Sequence, residues 1–287
     1  MRKQSLILCA VVLVCGILGA VLGQGEREAQ SVLAGEGIEL PIAMYHSVTD
    51  EGKSPGEYVI SPKRLEEDLR YLQQAGWETV TIRQVVNYVE NGAPLPEHPV
   101  MLTFDDGYYN NYANVYPLLE RYGMNGVLSP VGTLTEQFTQ AQEAPHEVWS
   151  YCTEQQLVEM AQSGVIEMQN HSFDFHELSP RRGCLRKQGE DQAAYENIFR
   201  TDTQRAQEVF AKLGIDEPIC YTYPYGACNA ETDALVEQCG FVSSLSCEEG
   251  INRLTHDPRC LYKLKRWNRD GRQSTEQFWS TVRREMQ

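Results

Sequence analysis

Val100-Met101-Leu102-Thr103-Phe104-Asp105-Asp106-Gly107 is the stretch whose reading decides the fold. Val100 to Phe104 carries no charge, then gives way at once to two carboxylates and a glycine. A short apolar run of this kind is a strand buried on both faces, as in sheets covered by helices. The residues that follow stand beyond the strand's C-terminal end, where α/β folds place their chemistry. Gly107 permits the tight turn that aims both carboxylates. Adjacent carboxylates can divide labour: one holds a cation, the other accepts a proton from water. Alone, the segment reads equally well as a plain strand-to-loop turn, since Asp-Gly is common there.

Outward from this strand, short apolar runs alternate with helical patterns. Upstream, Leu40 to Tyr45 reads as a strand ending at His46, and Ser61-Pro62 opens a helix with Leu65, Leu69 and Leu72 on one face. Thr79 to Ile82 reads as a strand before a helix around Val85, Val86 and Val89. Downstream come a helix over Asn111 to Tyr122, a strand at Val127-Leu128 and a loop over Thr133 to Ser150. A helix capped by Thr153 and Gln156 follows, then a strand over Val165 to Met168. A long helix over Ala193 to Leu213 leads to strands at Cys220 to Tyr223 and Phe241 to Leu245. A last strand is expected over Leu261 to Trp267 and a closing helix over Ser274 to Met286. This alternation predicts a mainly parallel sheet covered by helices, either a barrel or a doubly wound sheet.

Three more polar clusters fall at strand ends. Asn170-His171-Ser172-Phe173-Asp174-Phe175-His176 holds two of the chain's six histidines. Two imidazoles with one carboxylate make a triad that leaves metal positions open for water and substrate; hydrogen-bonding roles are the alternative. Tyr221-Thr222-Tyr223-Pro224-Tyr225-Gly226 forms a tight loop in which the Tyr225 N–H can face a developing oxyanion, or simply ends a strand. Met44-Tyr45-His46-Ser47 offers a histidine suited to protonating a leaving amine, although a structural histidine is the commoner case.

Composition narrows the partners. A hydrophobic content of 41% with 23% charge excludes a disordered chain, and 287 residues suit one large domain. The net charge of -15 excludes nucleic acid and disfavours adsorption to anionic lipid, leaving a neutral or cationic polymer. Arg2 and Lys3 precede an uncharged run from Ser5 to Gln24. Residues 1–25 therefore read as a signal-anchor or signal peptide, 26–37 as a linker, and 38–287 as the domain. An uncleaved anchor holding the domain outside the cytoplasmic membrane is expected, with secretion after cleavage near Gly19 to Gly23 as the alternative. The seven cysteines beyond this segment contain no C-x-x-C pair, which argues against a zinc knuckle.

Together these segments resemble the polysaccharide deacetylase (NodB-like) family of carbohydrate esterases, over about Pro41 to Trp267. Thr103 to Gly107 matches that family's Thr-Phe-Asp-Asp-Gly motif at every position. Its His-[Ser/Thr]-x-x-His motif is not matched, because the second histidine, His176, comes one residue late. That spacing, and Met44-Tyr45-His46 ahead of the first helix, is similar to the exported poly-N-acetylglucosamine deacetylase branch. The resemblance implies an irregular (β/α) barrel that removes acetyl groups from N-acetylglucosamine-type residues of an extracellular or cell-wall polysaccharide. It implies one divalent metal ion, zinc being expected, on Asp106, His171 and His176. It implies Asp105 as base, His46 as acid and Tyr225 as the oxyanion contact; from the residues themselves, the aromatic rings around Tyr225 can pack against a sugar face. The arginine that many members place before Pro-Tyr-Gly is absent, and Arg266 is the candidate substitute for orienting Asp105. That absence, together with the lack of a clear equivalent of the Asp-x-x-Asp-Trp motif of other branches, is the only support for the rival reading, a catalytically silent, membrane-tethered carbohydrate-binding domain.

Overall fold

The computed structural model describes residues 37–286 except 53, 54 and 142. The expected membrane segment and all of the linker but Gly37 lie outside the described residues. No helix among the described residues is long and apolar enough to cross a membrane.

The strands in chain order are β1 (Ile38–Leu40), β2 (Ile42–Tyr45), β3 (Ser47–Val48), β4 (Val59–Ile60), β5 (Glu78–Thr79) and β6 (Pro99–Asp106). They continue with β7 (Gly126–Pro130), β8 (Ile166–Met168), β9 (Cys220–Thr222), β10 (Ser243–Leu245), β11 (Asn252–Leu254) and β12 (Trp267–Asn268). The main sheet runs β12-β2-β6-β7-β8, with β5 added beside the start of β6. Every pairing in it is parallel, so all its C-terminal ends lie together. β9 and β10 form a separate parallel pair. Isolated parallel bridges join Asn170 to Tyr221 and Leu245 to Leu264.

β6 is the axis. All eight of its residues are buried, as a strand flanked on both edges and covered on both faces requires. Helices pack on it through apolar faces: Leu65, Leu69 and Leu72 of Pro62–Gln74 are fully buried. Each such leucine contributes about 1.5–3 kcal/mol of burial. The helix starts where Ser61 accepts from the Arg64 N–H, and reciprocal capping boxes start Ile82–Asn91, Glu154–Gln162 and Thr275–Glu285.

The structure departs from the sequence reading in several places, among them the break at Pro41 that divides Leu40 to Tyr45 between β1 and β2. Thr79 to Ile82 is not one strand, because Thr81 leaves the sheet to cap the helix beginning at Ile82. Asn111 to Tyr122 is α-helical only from Tyr116; its first turn is π-helical, because Pro117 has no N–H for the carbonyl four residues back. Gly132–Ala141 is a helix rather than loop, one whose Thr- and Gln-rich sequence carries little apolar periodicity. Leu261 to Trp267 is not a continuous strand: Leu261 ends a 3₁₀ turn, and Lys263 at φ 54° breaks the extended path before β12.

Candidate active site

β6 ends on Asp105 and Asp106. Asp106 has φ 71° and Gly107 φ 77°, which swings the chain sharply off the sheet. A Cβ at Gly107 would lie 2.7 Å from the Pro130 Cβ and 2.9 Å from its Cα, so only glycine lets this turn sit against the end of β7.

Asp105 is buried, and both its oxygens accept from Arg266, Nη1 at 2.7 Å and Nη2 at 2.8 Å. Arg266 is itself inaccessible to solvent; its Nε donates to the Ser246 carbonyl at 2.8 Å and Nη1 to Thr103 Oγ1 at 3.1 Å. This fork-on-carboxylate geometry is what arginine does and lysine cannot. Burial pushes the Asp105 carboxyl up, but Arg266 and His171 outweigh it and hold it below the ordinary range. Asp105 is thus an ionised, oriented acceptor at neutral pH.

Asp106 faces two imidazoles. Its Oδ1 lies 3.3 Å from His171 Nε2 and 3.0 Å from His176 Nε2. One ligand atom from each residue lies within 4.8 Å of the other two. The far side of each ring decides what this means. His171 Nδ1 sits 2.8 Å from the Thr222 carbonyl, which can only accept. Tyr225 donates its hydroxyl to the His176 carbonyl at 3.1 Å, leaving its oxygen 3.4 Å from His176 Nδ1. The Thr222 carbonyl favours hydrogen on His171 Nδ1, the Tyr225 oxygen can accept one from His176 Nδ1, and both rings turn Nε2 toward Asp106. With neutral rings, three electron-pair donors converge on one region, an arrangement relieved by a cation among them or by protons on the rings. Among described residues this set suits one divalent ion with positions left open. Burial opposes charge on His171, yet Asp106 and Asp105 outweigh it and raise its pKa, the same demand expressed as proton affinity.

The late second histidine has a local cause. Between the two rings the N–H groups of residues 172, 173, 174 and 175 are taken by Asn170, Asp202, Asp202 again and Ser172, at 2.7, 2.9, 2.7 and 3.1 Å. Ser172 at φ 68° turns Phe173 and Phe175 inward, at 2% and 7% exposure, and leaves Asp174 exposed. His176, and not residue 175, then returns to Asp106. Asp106, Ser172 and Tyr225 (φ 58°) are three of the four non-glycine residues with positive φ among those described. Such backbone concentrates at functional sites.

His46 follows β2 and packs edge-on against Tyr58, with ring centroids 4.8 Å apart. Its Nδ1 is buried without a partner, and burial lowers its pKa against the pull of Asp106 and Asp105. It is neutral at pH 7 and must take a proton before giving one. Tyr225 is half-buried at the site, but Tyr221 and Tyr223 are buried in the core, at 0% and 1% exposure, and cannot meet a sugar face. The sequence reading missed Tyr108 and Tyr151, whose rings stack at 4.8 Å beside the Asp-Asp-Gly turn. Burial, then Asp106 and Tyr151, push the Tyr108 hydroxyl up, so it stays a neutral donor. Only its closeness in sequence to Asp106 could have flagged it. The seven described cysteines are all free thiols.

An α/β domain with an arginine-held carboxylate beside an Asp/His/His cluster, at the C-terminal ends of parallel strands, has the outline of a hydrolase. A family model described as polysaccharide deacetylase matches residues 92–243. The chain belongs to the polysaccharide deacetylase family, and is a hydrolase acting on N-acetyl amide bonds. It is 28% identical over 227 residues to a Bacillus subtilis (strain 168) protein named as a polysaccharide deacetylase, YxkH, covering 79% of this chain and 71% of that one. It is 27% identical over 239 residues to the poly-β-1,6-N-acetyl-D-glucosamine N-deacetylase of Escherichia coli (strain K12), covering 76% of this chain and 35% of that one. This chain therefore spans about a third of the Escherichia coli relative. A de-N-acetylase structure from Aggregatibacter actinomycetemcomitans superposes with a TM-score of 0.72 at 24% identity, covering 86% of this chain and 99% of that one.

Proposed function

We propose that the chain is a metal-dependent N-deacetylase of a poly-β-1,6-N-acetylglucosamine-type polysaccharide. The observation that carries the metal dependence is the convergence of Asp106, His171 and His176 with both Nδ1 atoms already engaged. The substrate rests on the relative of that name, matched over 76% of this chain. Asp106, His171 and His176 would hold a divalent ion, zinc by the nature of the donors, which would supply Lewis acidity toward the acetamide carbonyl and water. Asp105, ionised and fixed by Arg266, takes the proton from the attacking water. His46 delivers a proton to the departing sugar amine, and its depressed pKa makes it a ready donor once charged. The Tyr225 N–H, carried on a left-handed residue, steadies the developing oxyanion. Acetate and a glucosamine unit are the products.

Two further expectations belong with this reading. The bridges Asn170–Tyr221 and Leu245–Leu264 support closure of the strands into an irregular (β/α) barrel. Arg2, Lys3 and the uncharged run to Gln24 support an extracytoplasmic domain on an uncleaved anchor. The deciding experiment is acetate release from β-1,6-linked N-acetylglucosamine polymer by the full chain, with and without chelator, alongside metal analysis. Turnover that survives complete metal removal would sink the mechanism.

A further inference from the structure

Trp149 is the one tryptophan of four that stands out of the protein. It is 51% exposed, whereas Trp77 and Trp279 are 9% and 0% exposed and Trp267 is half-buried. An exposed indole becomes a binding position only where it is held in place and lies in line with a site. Trp149 is fixed. The segment that carries it is tied to the residues just after the Asp-Asp-Gly turn: Asn110 Nδ2 donates to the Glu147 carbonyl at 2.8 Å, and the Tyr109 N–H to the Ser150 carbonyl at 2.8 Å. Within the segment the His146 N–H meets Ser150 Oγ at 2.8 Å, and the His146 ring stacks on the indole with centroids 5.2 Å apart.

The rings form a line that starts at the metal ligands. Tyr108 lies against Asp106 and stacks on Tyr151. Tyr151 meets Phe138 at 5.5 Å, and Phe138 meets Trp149 at 6.1 Å. Trp149 is thus two ring contacts beyond Tyr151. A sugar resting on it is a different unit of the polymer from the one whose acetamide reaches Asp106. The C–H face of a pyranose is apolar and faintly positive, which suits the negative face of an aromatic ring.

We propose that Trp149, backed by Phe138, is a stacking subsite for a sugar remote from the reacting one, so that this enzyme reads glycan length. The proposal rests on the deacetylase reading above and goes beyond it in naming a second sugar-binding position. The test compares N-acetylglucosamine dimers and β-1,6-linked hexamers in acetate release by the full chain and by Trp149→Ala and Trp149→Phe. The ratio of hexamer to dimer kcat/KM is expected to fall about 3- to 10-fold in Trp149→Ala, the worth of one aromatic contact, with the loss in KM rather than kcat. Trp149→Phe should recover most of it. In parallel, the hexamer should quench the exposed indole's fluorescence in Asp105→Asn, and that quench should vanish in Asp105→Asn/Trp149→Ala. An unchanged ratio, an equal loss on both substrates, or a Trp149→Ala effect on oligomeric state alone overturns the subsite. Absence of acetate release from any substrate refutes the deacetylase reading, and the fluorescence arm still decides whether Trp149 meets glycan.

Discussion

At the scale of single residues, Asp105 and Arg266 are the informative pair. Both are buried, and each satisfies the other through two hydrogen bonds. Such pairs add little net stability but are costly to break from one side. Arg266→Leu should therefore destabilise the fold by about 3–5 kcal/mol, read from denaturant midpoints. The double variant Asp105→Asn/Arg266→Leu should recover much of that loss, because no unpaired charge remains. Equal destabilisation by single and double variants would mean that Arg266 acts through packing alone. Asp105→Asn by itself should lower acetate release about 100- to 10,000-fold while metal content stays stoichiometric. Wild-type-like turnover in that variant would remove Asp105 from the role of base.

At the scale of elements, the parts that the sequence discloses are those whose signal is local. Thr103 to Gly107 could be placed at a strand end because five uncharged residues and two carboxylates leave few alternatives. The capped helices were equally plain, since Ser61, Thr153 and Ser274 each announce a start. The helix Gly132–Ala141 and the interrupted path through Lys263 were not legible, because tertiary context rather than pattern sets them. The late spacing of His176 was visible; its cause was not, as Asp202 lies 26 residues further on in the Gln192–Leu213 helix. Asp202 holds the histidine loop with both oxygens, and burial pushes its pKa up to about 6. An unfolded aspartate titrates near 3.9. Between these values the native state binds the extra proton, so this group's contribution is fully present below about 3.9 and is lost as pH rises through about 6. Urea denaturation of metal-free protein from pH 4 to 7 should show that decline, and Asp202→Asn should flatten it. Identical slopes in the two proteins would contradict the assignment.

At the scale of the whole molecule, the Asp/His/His cluster joins β6 to the segment after β8, so an ion there ties separate parts of the domain together. With free metal at a hundredfold above its dissociation constant, the gain is about 2.7 kcal/mol, or roughly 5–10 °C in Tm. Chelator should remove that gain reversibly, and calorimetry of the same sample before and after readdition checks it. The ligands and the arginine also enter the chain at different times. Asp106, His171 and His176 are all synthesised by position 176, whereas Arg266 follows ninety residues later, from 176 to 266. On the proposed mechanism, a growing chain holds its whole metal-ligand set well before the group that orients its base. Ion capture and hydrolytic competence would then be separate events in the life of the polypeptide. The reach of Arg266 back to Asp105 would make it an assembly check, completed only after β1 to β11 have been made.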